Sequence, residues 1–236
     1  MEFIDEGKEV ILGKKGTQCA FLESNDPANK FAVLVFRGSS EIRDWKTNFS
    51  AVAKDLGDGI EVHSGFYNAL ECVWAKIKVH LERTENSNYQ VFFTGHSLGG
   101  ALANLAALRW APKAVYTIGA AFAGNRGFAN ELNARTDKKI YRIVNNCDIV
   151  PYVHELVPMS EQLIDGCHAG EFYYITHDNK MMVNPDDSFV KDDRKKSKKL
   201  KGGFNSFNDI RIFERPEQVT DHAPINYVTF LADQLG

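Results

Sequence analysis

One stretch, Val91-Phe92-Phe93-Thr94-Gly95-His96-Ser97-Leu98-Gly99-Gly100, constrains this chain more than any other. An apolar, β-prone run enters Gly-His-Ser-Leu-Gly, and an alanine-rich stretch of helical composition, residues 100–110, follows at once. A G-x-S-x-G flanked by strand and helix belongs to a sharp turn that strains the serine backbone and lifts its hydroxyl clear of the sheet. Gly95 and Gly99 are required there because a Cβ at either would collide with the neighbouring strand or helix. The start of the helix also aims backbone N–H groups and a positive dipole end at the place where an oxyanion would form. Ser97 is therefore the candidate nucleophile.

The surrounding pattern predicts the sheet that such a turn needs. Strands are expected at 16–23 and 30–36, separated by the polar turn 25–29, then at the run before Ser97, at 114–119 and at 139–144. Residues 31–36 are nearly all apolar, as in a central strand covered on both faces. Leu70, Val73, Ile77 and Leu81 share one face of an amphipathic helix, and further helices are expected at 127–135 and 223–235. Strands alternating with helices predict an α/β fold, a mainly parallel central sheet with helices on both faces. Beyond Pro151 the pattern weakens to a hairpin, 171–176 with 181–183, and a polar stretch, 184–208. The lysine-rich cluster 191–201 within it reads as a solvated loop.

With 236 residues and 44% hydrophobic content, the chain can bury one substantial core, and a single domain over 1–236 is expected. A net charge of -3 and a pI near 6.2 carry no nucleic-acid signature. No apolar run reaches the ~18 residues needed to span a bilayer. Residues 1–6 are acidic and lack the pattern of a signal peptide, which fits a cytoplasmic protein, export without a cleaved signal, or a mature secreted form. Cys19, Cys72, Cys147 and Cys167 have no metal-ligand spacing and read as buried free thiols, with a disulfide framework not expected.

A serine nucleophile needs a base, and the base needs an acid to fix its tautomer. In the strand–elbow–helix arrangement these follow in the order Ser, Asp/Glu, His. Asp148 stands just past the strand 139–144 and is the candidate acid. Of seven histidines, His222 is the last and precedes the closing helix, so it is the candidate base. His96 lies inside the elbow, with its side chain expected to point away from Ser97. His80 lies on the amphipathic helix, and His63, His154, His168 and His177 are open alternatives, none of which lies late beside a terminal helix. The oxyanion hole needs two N–H donors. Leu98 supplies one, and the turn Arg37-Gly38-Ser39-Ser40 after an early strand offers Ser39 for the other. Ile42, Trp45 and Phe49 fall at i, i+3 and i+7, the stripe of a short helix.

Phe36-Arg37-Gly38-Ser39-Ser40, Asp44-Trp45 with Asn48, Val62-His63-Ser64-Gly65-Phe66, the Ser97 block, Val144-Asn145-Asn146-Cys147-Asp148-Ile149-Val150-Pro151 and Asp221-His222 occur in an order that resembles fungal-type class 3 lipases. The resemblance runs from about residue 30 to the C-terminus. It implies an α/β-hydrolase fold, carboxylic-ester hydrolysis without a cofactor or metal, and Ser97, Asp148 and His222 as triad. It also implies Ser39 and Leu98 as oxyanion donors, residues 41–49 as a lid contributing Ile42, Trp45 and Phe49 to the substrate site, and a structural role for His168. Residues 119–125 depart from the family's usual turn, and the signal peptide and disulfides of secreted members have no counterpart here. Five charged or amide residues in the lid segment predict weak interfacial activation, with short soluble esters turned over below their solubility limit.

The expected activity is that of a lipase on acylglycerols. Phospholipase A, a feruloyl-type esterase, or a non-catalytic binding protein on the same fold are the alternatives. The partner is a lipid or other ester substrate, and the lysine cluster offers peripheral contact with an anionic lipid surface, worth ~1 kcal/mol per basic residue.

Overall fold

The structure is a computed structural model that describes residues 2–6, 17–38, 53–137, 139–152, 164–200 and 221–233, with backbone alone at 2–6 and 198–200. Its centre is an eight-stranded sheet in the order β1-β2-β3-β6-β7-β9-β11-β12. β3 (Phe31–Phe36), β6 (Gln90–His96), β7 (Ala114–Ile118), β9 (Ile140–Asn145) and β11 (Glu171–Ile175) run parallel to one another. At the edges β1 (Glu2–Glu6), β2 (Thr17–Glu23) and β12 (Met181–Val183) are antiparallel to their neighbours. Every strand read from the sequence is present in this sheet, and β1, which the sequence reading did not include, adds one edge.

Alternation within the strands decides which helix packs where. Ala32, Leu34 and Phe36 of β3 and Val91 and Phe93 of β6 point to one face and are buried, as is Val115 of β7. That face is covered by α1 (Ser64–Asn86), α2 (Leu98–Arg109) and α3 (Arg126–Arg135). α1 starts where the His63 Nδ1 accepts from the Phe66 amide at 3.2 Å, and buries Leu70, Val73, Ile77 and Leu81 as the periodicity predicts. α2 is buried almost all round, from Gly99 to Ala107. A helix of mostly small apolar residues, with Asn104 its one buried polar side chain, suits a place sandwiched between the sheet and other helices. On the opposite face α5 (Pro224–Asp233) packs Tyr227 and Phe230 onto Ile143 and Ile175, with Ile118 and Tyr173 at the margin. Helices thus cover both faces, although the one segment described on the second face sits at the β9–β11 end.

A second, four-stranded sheet in the order β10-β8-β5-β4 joins β4 (Ala53–Asp55), β5 (Glu61–His63), β8 (Gly124–Asn125) and β10 (Gly166–Cys167). These strands of two or three residues are too short for any periodicity to reveal. Asn125 ties them to α3, its Oδ1 accepting from the Phe128 amide at 2.9 Å and the Glu61 amide at 3.2 Å. All four cysteines are free, Cys19 and Cys147 buried and the other two half-buried. Among the described residues no helix is long and apolar enough to cross a membrane.

The lysine-rich stretch read as a loop is instead a helix, α4 (Asp187–Leu200). Val190, Asp193, Arg194 and Ser197 form its buried side while Lys191, Lys195 and Lys196 are exposed. The spacing is helical, but three of the four buried residues are polar, so hydropathy could not disclose it.

Candidate active site

Ser97 lies between β6 and α2 with φ 59° and ψ −126°. A non-glycine residue at positive φ is strained, and such strain concentrates at functional sites. The turn closes only because its glycines lack side chains. A Cβ on Gly95 would stand 2.2 Å from the Gly99 carbonyl carbon, and one on Gly99 would stand 2.2 Å from the Phe36 oxygen. Ser97 is held from the other side by its amide, which donates to Ile118 O at 3.0 Å. The turn after β3 passes directly over this elbow, since a Cβ on Gly38 would stand 2.7 Å from His96 O and 3.4 Å from Ser97 Cβ.

Asp148 sits on the loop after β9 and His222 immediately before α5, and the fold brings them into contact. His222 Nδ1 donates to Asp148, at 2.9 Å from each carboxylate oxygen. The Val150 amide donates to Oδ1 at 2.9 Å and the Tyr227 hydroxyl to Oδ2 at 2.5 Å. Asp148 is wholly buried, so its charge is supported by this imidazole, amide and phenol in place of water. With Nδ1 turned to the carboxylate, Nε2 is the ring nitrogen left facing away from Asp148, and in the neutral imidazole it is the acceptor. That Nε2 and Ser97 Oγ are both buried, and neither has a hydrogen-bond partner among the described residues, so they are not bonded to each other in this conformation. Ser97 and His222 are each 1% exposed.

Further contacts fix His222. His96 Nε2 donates to the His222 carbonyl at 2.7 Å, and the two rings lie 4.4 Å apart between centroids. Burial, and after it the proximity of His222, pull the His96 pKa down to about 4, so it is neutral at ordinary pH. Asn145 Nδ2 donates to Asp221 O at 3.2 Å, linking the end of β9 to the histidine segment. His168 Nε2 donates to Pro151 O at 2.8 Å, beyond Asp148.

Leu98 opens α2 beside Ser97, as the sequence placed it. Ser39, His154 and the lid residues Ile42, Trp45 and Phe49 lie outside the described residues. Sequence reasoning missed Tyr227 and Gly119. Tyr227 is fully buried, bonds Asp148 and accepts from the Asn145 amide at 2.8 Å; burial and then the Asp148 charge push its pKa far up. Its signal was a tyrosine on the inner face of the closing helix, five residues after the histidine. Gly119 opens the block that departs from the family pattern, with φ +52° and its Cα facing Asp148 Oδ2.

The sequence model of the family described as Lipase (class 3) matches residues 33–157. The chain is 39% identical over 155 residues to secreted mono- and diacylglycerol lipase 1 of Fusarium solani, covering 62% of this chain and 46% of that protein. It is 29% identical over 163 residues to a chloroplastic phospholipase A1 of Arabidopsis thaliana, covering 62% and 25%. A solved triacylglycerol lipase, whose catalytic centre is described as a serine protease triad, superposes with a TM-score of 0.58 at 32% identity, covering 71% of this chain and 64% of that one. The chain spans about half the length of the first curated relatives it matches.

Proposed function

Because the chain belongs to the class 3 lipase family, we propose that it is a serine carboxylic-ester hydrolase acting on acylglycerols, with Ser97, Asp148 and His222 as its triad. The observation that carries this reading is the Asp148–His222 contact, which leaves a buried Nε2 with no partner among the described residues to serve an elbow serine at φ 59°. In the first half-reaction Ser97 Oγ attacks the ester carbonyl while His222 Nε2 takes its proton, and Asp148 stabilises the resulting imidazolium. The Leu98 and Ser39 N–H groups hold the oxyanion, and the alcohol leaves with the proton returned by His222. Water then attacks the acyl-enzyme by the same relay and releases the acid. Ile42, Trp45 and Phe49 are assigned to the lid and acyl contact. The test is hydrolysis of p-nitrophenyl esters from acetate to palmitate, wild type beside Ser97→Ala. Turnover in the wild type that vanishes in the variant is expected, with short esters active below their solubility limit; equal turnover in both would refute the assignment.

A second substrate class, phospholipids in anionic membranes, is favoured by α4, whose outward Lys191, Lys195 and Lys196 present a basic face. Exposed Ile225 and Val228 on α5, close in sequence to His222, add apolar contact area. Replacing Lys195, Lys196, Lys198 and Lys199 by Gln is expected to abolish binding to phosphatidylserine vesicles at unchanged soluble-ester turnover. Vesicle binding that survives the change refutes docking through this helix.

A further inference from the structure

The buried carboxylate of Asp193 has no part in the triad, yet four donors converge on it. Asp193 Oδ2 accepts from Asn146 Nδ2, from the Tyr174 hydroxyl at 3.0 Å and from the His177 amide at 3.0 Å, while Oδ1 pairs with His177 Nδ1. Asn146 is saturated in turn: its Nδ2 also meets the Tyr174 oxygen at 3.0 Å, its Oδ1 accepts from the Cys147 thiol at 2.7 Å, and its amide donates to Ile175 O at 2.9 Å. Asn146, Tyr174 and Asp193 are all buried. Burial and the adjacent Asp193 charge push the Tyr174 pKa well up, so the phenol stays protonated as a donor.

Asn146 lies two residues before Asp148. The next residue of α4, Arg194, is also buried and sets its guanidinium 4.0 Å over the ring of Tyr152, four residues after Asp148. Adjacent residues of one helix therefore grip the acid-bearing loop on both sides. Burying a carboxylate and a guanidinium costs several kcal/mol unless each is well partnered. A helix whose outer side is lysine-rich could have rested on the sheet through apolar residues alone. Here the charged groups point inward, at the loop whose placement sets the His222 tautomer.

We propose that α4 is a clamp on the triad-acid loop, and that Asp193, acting through Asn146, is a positioning residue for Asp148. The inference rests on the triad reading above. It extends the working site to a helix that touches neither the ester nor the reacting atoms. Asn146→Asp sets two buried carboxylates against each other, which displaces the loop, whereas the exchange Asn146→Asp with Asp193→Asn restores one amide facing one carboxylate. Tyr174 can donate to either arrangement, and the one donor that the exchange strands is the His177 amide, which follows β11 and is not on the acid-bearing loop.

The experiment measures kcat and KM for p-nitrophenyl butyrate, with the melting temperature, in wild type, Ser97→Ala, Asn146→Asp, Asp193→Asn and the exchange double variant. Asn146→Asp is expected to lose at least tenfold in kcat with KM within twofold, and the exchange to recover kcat to within threefold of wild type. A purely structural role would lower the melting temperature and leave the kcat of the folded protein unchanged, and that result overturns the proposal. Loss in Asn146→Asp without recovery in the exchange overturns it as well. If Asn146→Asp does not fold, the exchange variant decides, folded and active on this account. Turnover surviving in Ser97→Ala would overturn the triad reading and the clamp with it; a dead Ser97→Ala beside a fully active Asn146→Asp overturns the clamp alone.

Discussion

Gly119→Ala should disable the site from a position that no triad residue occupies. Gly119 has φ +52°, where an L side chain costs about 1–2 kcal/mol. At about 2–4 °C per kcal/mol for a chain of this size, backbone strain alone lowers the melting temperature by about 2–8 °C. The new Cβ would stand 2.5 Å from Asp148 Oδ2, 3.0 Å from the Tyr227 oxygen and 3.2 Å from His222 Nδ1, where ordinary contact begins at 3.4 Å. The carboxylate must therefore retreat by nearly the difference, about 1 Å, and misplacement on that scale costs about 100-fold in rate. Gly57→Ala is the matched control, since Gly57 has φ +88° and nothing within 4 Å of its added Cβ. Both variants should lose a few degrees in a thermal melt, but only Gly119→Ala should lose about two orders of magnitude in kcat for p-nitrophenyl butyrate. A folded Gly119→Ala with kcat within threefold of wild type would refute the reasoning.

Tyr227→Phe removes the 2.5 Å bond to Asp148 and strands the Asn145 amide, a loss of about 1.5–3 kcal/mol for a hydrogen bond to a charged group. It should lower the melting temperature by several degrees and kcat by about tenfold at constant KM; an unchanged melt would count against the bond. For His96, a pKa held at about 4 against 6.5 means that the unfolded chain binds the proton first as pH falls. Stability should therefore drop from pH 6.5 downward and the loss be complete below about pH 4, at about 3 kcal/mol in all. Urea titrations across that window should show a shallower pH slope in His96→Gln, and an identical slope would contradict the assignment.

The elbow, the parallel strands and the Asp148–His222 pair were legible because each has a local signature: a glycine-bracketed serine, an apolar run, a residue order along the chain. Tyr227 and Gly119 were not, since their roles arise only when β7, the β9 loop and α5 meet. α4 was hidden for a different reason. Its inner side is built from Asp193, Arg194 and Ser197, so a rule that equates burial with apolar character reads it as solvent-facing. His96 was expected to point away from Ser97, and the structure adds what it does: it bonds the His222 carbonyl.

The most direct test of the central claim is covalent labelling with diethyl p-nitrophenyl phosphate in detergent micelles, followed by peptide mass spectrometry. The account predicts one diethylphosphoryl group per chain, on Ser97, absent from Ser97→Ala and from His222→Ala. Label on another residue, or none on folded wild-type protein, would contradict it.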